Sequence, residues 1–250
     1  MSAAAPVSRS RIDEAVVARG LAENRSRARA LILAGDITVN GEVVHRAGAI
    51  VRSTDELGRA EKPRFASRGG EKLAHALDQF GIDVSAAIAA DFGASTGGFT
   101  DCLLQAGARR VVALDVGHGQ LHPKLRADPR VTVLERVNVR SLRCDELPFS
   151  PSFLTCDVSF IGLAKALPPA LACAAPRWRA VVLVKPQFEA GPADVGKGGV
   201  VRDPQVRRRV LDGVAERVPE WGGHVLGVAE SPLRGPKGNR EFLLSLAAAE

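Results

Sequence analysis

Four ionisable side chains in this 250-residue chain stand where apolar runs give way to turns or where a helical pattern starts. They are Lys72 in SRGGEKLAHAL, Asp157 in CDVSF, Lys185 in VLVKPQFE and Glu241 in GNREFLL. Two amines and two carboxylates could move a proton or steady a developing oxyanion, provided that folding brings them together. Taken singly, each is also a type that caps an element or sits in solvent. Convergence is therefore what the fold must supply. A second group lies in DFGASTGGFTDCLLQAG, from Asp91 to Gly107, which has an apolar lead-in, a turn of small residues and then a helical pattern. That is the outline of a nucleotide-binding loop, yet two common phosphate loops do not fit it. A P-loop needs lysine where Phe99 stands. A dinucleotide fingerprint needs its middle glycine where Ser95 stands.

The acidic residues around this loop point to a different ligand. Asp91 ends the apolar run, where its carboxylate would repel a pyrophosphate and attract an ammonium group. Asp115 ends the next run, RRVVALDV, at the place where an acidic residue commonly takes ribose hydroxyls. Together they ask for an adenosine-type ligand that is cationic where a dinucleotide carries phosphates. S-adenosylmethionine, with its sulfonium and amino-acid tail, meets that description. The expected cofactor residues are Asp91, Phe92, Gly93, Ala94, Ser95, Thr96, Gly97, Gly98, Asp115 and, in the adenine region, Asn138.

The elements that must position these groups follow from periodicity. From Gly69 onward, apolar runs at 87–92, 109–116, 130–136, 152–159, 180–186, 224–231 and 241–248 alternate with helical segments, clearest in IGLAKALPPALACAA and PQVRRRVLDGVAERV. Continuous apolar strands alternating with helices predict an α/β fold, a parallel sheet covered on both faces. The last two runs are joined by PLRGPKGNR, too short for a helical crossover, so the seventh strand should be antiparallel. Ligands of such sheets sit beyond the carboxyl ends of the parallel strands. Asp157 and Lys185 are at such ends, and Glu241 begins the reversed strand, which brings it to the same edge. Lys72, near the start of a helix before the first strand, can reach the same mouth.

The first 62 residues differ in pattern. RIDEAVVARGLAENRSRARALILAG predicts two short helices, with Asn24 or Ser26 as N-cap of the second and Gly35 as its stop. DITVNGEVV predicts a hairpin, because Asn40-Gly41 between β-prone runs tolerates positive φ at both turn positions. Residues 1–64 carry eleven Lys/Arg and eight Asp/Glu, half of the chain's net +6 in a quarter of its length. Leu21, Ala28, Leu31 and Ile32 fall on one helical face, and Arg25 and Arg29 on another. This order of features, with SRARALILAGDITVNGEVV at its centre, resembles the S4 RNA-binding domain. The resemblance implies a small α+β module that holds structured RNA through Arg9, Arg11, Arg25, Arg27 and Arg29, with Arg64 and Arg68 continuing the basic surface. Residues 63–68 read as an interdomain linker and residues 69–250 as the second domain. With 4% aromatics and no tyrosine, arginine–phosphate contacts should outweigh base stacking.

Composition excludes other classes. Cys102, Cys144, Cys156 and Cys173 show no C-x-x-C pair and no histidine at zinc spacing, so reduced buried thiols and no metal site are expected. No run approaches the roughly 18 apolar residues of a membrane span. MSAAAPVSRSR lacks the charged lead and apolar block of a secretory leader, so a cytoplasmic location is expected. Nothing in the sequence speaks to oligomeric state.

The motifs ASRGGEKL, DFGASTGGFTD, ALDVGHGQL, CDVSFI, LVKPQFE and GPKGNREFLL resemble the FtsJ-like ribose 2'-O-methyltransferases. With an S4-like module in front, the chain is similar over nearly its whole length to the TlyA family, also labelled haemolysin A. The resemblance implies a Rossmann-like seven-stranded methyltransferase domain, S-adenosylmethionine as cofactor and cytidine 2'-hydroxyls of 16S or 23S ribosomal RNA, or both, as substrate. It maps a catalytic tetrad onto Lys72, Asp157, Lys185 and Glu241. Two divisions of labour are open. Lys185 could be the general base, oriented by Asp157 beside the positive Lys72, with Glu241 holding Lys72 or the ribose. Alternatively, both lysines could stabilise the developing alkoxide. The stretch QFEAGPADVGKGGVVRDP (187–204) should be a mobile loop that orders over substrate, with Lys197 near phosphate. A pore-forming haemolysin and a non-catalytic RNA-binding assembly factor are the competing functions.

Overall fold

The computed structural model describes residues 7–60 and 63–249. The opening residues used for the leader reading lie partly outside these, at 1–6, and so does position 62, where the sequence ends the first domain. The chain forms two compact units, the first reaching Pro63 and the second beginning at Arg64.

In the first unit, β1 (Arg9–Arg11) leads into α1 (Ile12–Ala18) and α2 (Arg25–Leu33). Asn24 caps α2, its side chain accepting from the Arg27 amide at 2.9 Å. Gly35, at φ +77°, follows the C-cap Ala34. Strands β2 (Ile37–Val39) and β3 (Glu42–Val43) form the expected hairpin about Asn40-Gly41, both at positive φ. Besides β1, two more three-residue strands, β4 (Ile50–Arg52) and β5 (Leu57–Arg59), were not expected. They pair with β1 and β2 respectively. Three residues are too few for an alternating pattern to register. Ile12, Val16, Ala28, Leu31, Ile32, Ile37 and Val51 make this unit's core.

The second unit opens with α3 (Gly69–Gln79) and then alternates strand and helix. Its elements are β6 (Ile88–Phe92), α4 (Gly98–Gln105), β7 (Arg110–Asp115), α5 (Pro123–Arg126), β8 (Val131–Glu135), β9 (Phe153–Cys156), α6 (Leu163–Ala172), β10 (Arg179–Val184), α7 (Pro186–Glu189), α8 (Pro204–Arg217), β11 (Gly223–Glu230) and β12 (Phe242–Ala248). The seven strands order as β11-β12-β10-β9-β6-β7-β8, with β12 antiparallel to both of its neighbours. This is the expected sheet with a reversed final strand. Ala180 through Val184 are all buried because helices cover β10 on both faces, whereas edge strand β11 alternates and leaves Leu226 and Val228 half-exposed. One core lies under α6 and α8, the other under α3 and α4. Among the described residues, no helix is long and apolar enough to cross a membrane.

Two details differ from the sequence expectations. Residues 64–68, read as a linker, belong to the second unit, because Phe65 is 3% exposed within its core and the Ala66 amide donates to Asp101. Proline and charge signal a loop, but one aromatic side chain anchors it. Cysteines 144 and 173, expected to be reduced, form a disulfide, and Cys144 is exposed. They meet because the 3₁₀ turn at Cys144–Glu146 and the C-cap of α6 come together, a juxtaposition that a sequence separation of 29 does not announce. Cys102 and Cys156 are free and buried, and burial pushes each thiol up to about 12.

Candidate active site

Sheet register brings the four candidate groups to one edge. Val184 of β10 pairs with Phe242 of β12, so Lys185 and Glu241 sit side by side, one step beyond the paired residues. Asp157 follows β9, its amide donating to the Phe92 carbonyl at 2.9 Å. Lys72 arrives from the first turns of α3. The result is two ion pairs. Lys72 Nζ lies 2.5 Å from Glu241 Oε2, and Lys185 Nζ lies 2.5 Å from Asp157 Oδ1. Side-chain exposure is 11% and 0% in the first pair and 10% and 21% in the second. Charges this buried persist only in pairs, since a lone one would lose its hydration without compensation. Lys185 also donates to Ser159 Oγ at 3.0 Å, and Gln187 Nε2 reaches Glu241 Oε1 at 3.4 Å.

All four groups line one cavity of about 430 Å³, together with Ser67, Arg68, Gly93, Ala94, Ser95, Thr96, Gly98, Phe99 and Arg234. A second cavity, of about 480 Å³, adjoins it through Gly93, Ser95 and Asp157, which line both. Its other walls include Asp115, Gly117, Gln120, Asn138, Val139, Ser159, Phe160 and Ile161. A carboxylate, an amide and flanking apolar side chains suit a nucleoside: polar groups for the sugar edge, apolar walls for a base.

The loop between β6 and α4 is shaped by close approaches. Gly93 has φ +85°, and a Cβ there would lie 2.5 Å from the Asp157 carbonyl oxygen, so only glycine lets the loop rest on the Asp157 segment. A Cβ on Gly98 would come within 2.4 Å of Ser67 Oγ and 2.8 Å of the Gly70 nitrogen. Glycine there lets the start of α3, and with it Lys72, approach the loop. Ser95, at φ +48°, is held by its amide donating to Asp115 Oδ2 at 2.8 Å and by its hydroxyl against Gln120.

Several expected cofactor contacts are placed differently. Asp91 lines neither cavity. It is 0% exposed, and its oxygens accept from the hydroxyls of Thr100 at 2.6 Å and Thr155 at 2.9 Å. Burial raises its carboxyl to about 6 despite these hydrogen bonds. Asp91 is thus a buried post tying the first turn of α4 to β9, not a free receptor for an ammonium group. Phe92 points into the core at 0% exposure, and Gly97 packs toward Leu121 and Leu125. Asp115 does line the second cavity, but its two oxygens already accept from Ser95 and Gly117 amides. Asn138 lines it as well while accepting from the Arg140 amide at 3.1 Å.

The predicted loop at 187–204 is partly built. It holds α7, a 3₁₀ turn at Pro192–Asp194 and a bridge from Gly196 to Val200. Asn239 clamps it, accepting from the Val201 amide at 3.1 Å and donating to the Gly199 carbonyl at 2.9 Å. Lys197 is exposed on its surface. In the first unit, Arg11 and Arg25 both bond buried Asp13, which these guanidiniums lower to about 2. Arg9, Arg27 and Arg29 are exposed, as are Arg68 and Arg64, the latter lying over the Phe65 ring. Ser159 and Gln187 were missed, although both fall inside the motifs CDVSFI and LVKPQFE.

Residues 65–248 match the model of the FtsJ-like methyltransferases, and residues 10–57 match that of the S4 domain. Over 240 residues, 95% of this chain and 90% of the relative, it is 46% identical to the 16S/23S rRNA (cytidine-2'-O)-methyltransferase TlyA of Mycobacterium tuberculosis. A protein named hemolysin A from Brachyspira hyodysenteriae is 42% identical over 93% of this chain and 98% of its own length. A solved structure from Streptococcus thermophilus, also described as a hemolysin, superposes with a TM-score of 0.76 at 40% identity, over 97% of this chain and 89% of that one.

Proposed function

The chain belongs to the FtsJ-like methyltransferases, and from that premise we propose that it methylates the ribose 2'-hydroxyl of cytidines in 16S or 23S ribosomal RNA, or both, with S-adenosylmethionine as donor. The observation that carries this reading is the pair of buried lysine–carboxylate contacts facing a cavity that shares Gly93, Ser95 and Asp157 with a second, mixed polar and apolar one. The cofactor fits these walls. Asp115 and Asn138 would offer acceptors to its ribose and base edges, Val139 and Ile161 would flank the base, and Gly93 and Ser95 line both cavities. When bound, it supplies a methyl group made electrophilic by the sulfonium.

The residues of the chain supply the rest. A ribose hydroxyl is a poor nucleophile until its proton leaves. Lys185 stands beside Asp157 at the junction of the two cavities; in its neutral amine form it receives that proton as the ribose oxygen takes the methyl group and the methyl–sulfur bond breaks. The Lys72 ammonium, held by Glu241, faces the same cavity and steadies charge on the attacking oxygen. Arg68 and Arg234 at the rim suit the phosphates flanking the target nucleotide. Arg9, Arg27 and Arg29 on the S4-like unit hold RNA, and with a ribosomal substrate the reaction takes place in the cytoplasm.

Tritiated methyl transfer to separated 30S and 50S subunits tests the proposal, with the modified site mapped by blocked alkaline cleavage. Label in at least one subunit at a position resistant to alkali is the expected result. Absence of label from both subunits would overturn it.

A further inference from the structure

We propose that Ser159 is a positioning residue that aims Lys185, an inference that rests on the catalytic role given to Lys185 above. A lysine side chain has four rotatable bonds, and a neighbouring carboxylate attracts its ammonium from many directions. Asp157 Oδ1 approaches Lys185 Nζ to 2.5 Å, but that oxygen makes no contact of hydrogen-bond geometry. The directional bond is the one to Ser159 Oγ, at 3.0 Å. It takes one N–H on the side of the second cavity, which Ser159 lines, and leaves the other directions of Nζ for the cavity that Lys185 itself lines. A hydroxyl suits this task because it directs the nitrogen without adding a second charge to a nearly buried pair.

The segment carrying Ser159 is braced for such a role. The Asp157 amide fixes its start to Phe92, and Glu189 fixes its end by accepting the Leu163 amide at 2.8 Å, at the otherwise uncapped start of α6. Between these points the Phe160 and Phe188 rings meet at 5.2 Å, which ties the segment to α7, directly after Lys185. Ser159 and Lys185 therefore ride on two stretches that are stapled together, so their separation is set by the fold.

The test uses the full chain with unmodified ribosomal subunits, comparing wild type with Ser159→Ala, Ser159→Thr and Lys185→Ala. Cofactor affinity is measured separately by titration calorimetry with S-adenosylmethionine. Ser159→Ala should lower kcat about tenfold to a hundredfold, the scale of a misplaced reactive group. Cofactor Kd and RNA KM should stay within about twofold, and Ser159→Thr should recover most of the loss. Ser159 is exposed, so the alanine variant keeps its fold. Three results would overturn the proposal: Ser159→Ala at wild-type kcat while Lys185→Ala is inactive; threonine failing as badly as alanine; or the loss appearing in cofactor Kd, which would make Ser159 a cofactor contact. Full activity of Lys185→Ala would instead remove the catalytic reading of Lys185, and this proposal with it.

Discussion

Lys72 and Glu241, 169 positions apart in sequence, meet at 2.5 Å where neither the amine nor the carboxylate has much access to water. The pair joins α3 to the start of the reversed strand β12, so it closes the site across the sheet edge. Replacing one partner leaves an uncompensated buried charge, which costs about 3 kcal/mol or more, whereas replacing both by apolar groups of similar volume can be nearly neutral. Glu241→Leu should therefore lower urea-unfolding stability by about that amount, and Lys72→Met/Glu241→Leu should regain most of it. Neither protein should transfer methyl groups. Renewed transfer by the double variant would reduce the pair to a structural role.

Gly98 shows how closely α3 must approach the loop. With a Cβ 2.4 Å from Ser67 Oγ and 2.8 Å from a backbone nitrogen, Gly98→Ala cannot be relieved by a side-chain rotation alone. The start of α3 would have to move, taking Lys72 with it. We expect kcat to fall at least tenfold with a cooperative melting transition retained, because a displacement on the scale of 1 Å suffices for that loss. Unchanged kcat would mean that the Lys72 position tolerates such a shift.

Asp91 makes the stability of the protein depend on pH. Its carboxyl is raised to about 6 by burial, against 3.8 for a free aspartate. Between these values the folded protein keeps a proton that the unfolded chain has released. Stability from this group is thus full below about pH 4 and falls as pH rises through 6. The loss is about 3 kcal/mol at neutral pH. Asp91→Asn has no such proton to lose, so its stability relative to wild type should improve by about that amount between pH 4 and pH 7. Urea titrations across this range check it, and a difference that stays constant with pH contradicts it.

The same residues mark what the sequence could and could not reveal. The apolar run of β10, the Asn40-Gly41 turn and the placing of Asp157, Lys185 and Glu241 at strand termini are local signals, so the strands, the hairpin and the meeting of these groups at one sheet edge were legible. The burial of Asp91 was not, because the hydroxyls that satisfy it come from positions 100 and 155, one a turn into α4 and the other across β9. Its acidic character suggested a cationic ligand, while its partners were invisible. Arg11 and Arg25 read as free basic charge for the same reason, since Asp13 claims them only once α1 and α2 pack. Phe65 and the Cys144–Cys173 bridge likewise depend on contacts between distant segments.

Glu189 shows a contact of this kind that has measurable consequences. Its carboxylate caps α6 from outside the helix, and burial raises its carboxyl above the usual range for a glutamate. Glu189→Ala should cost about 1 kcal/mol, the usual loss on removing a helix N-cap. Glu189→Gln keeps an acceptor for the Leu163 amide and should cost much less. Thermal melts of the two variants decide, and equal losses would show that charge, not the cap, matters there.

The decisive step is the proton that Lys185 takes from a ribose hydroxyl. Ribosomal RNA incubated with the cofactor and either wild-type protein or Lys185→Ala is digested to nucleosides and separated by mass spectrometry. 2'-O-methylcytidine should accumulate with wild type and be at least a hundredfold slower with the variant, consistent with the loss of a proton-transfer group. Cofactor affinity should be unchanged. Methylation on the base instead of the ribose, or an undiminished rate in the variant, would contradict the mechanism.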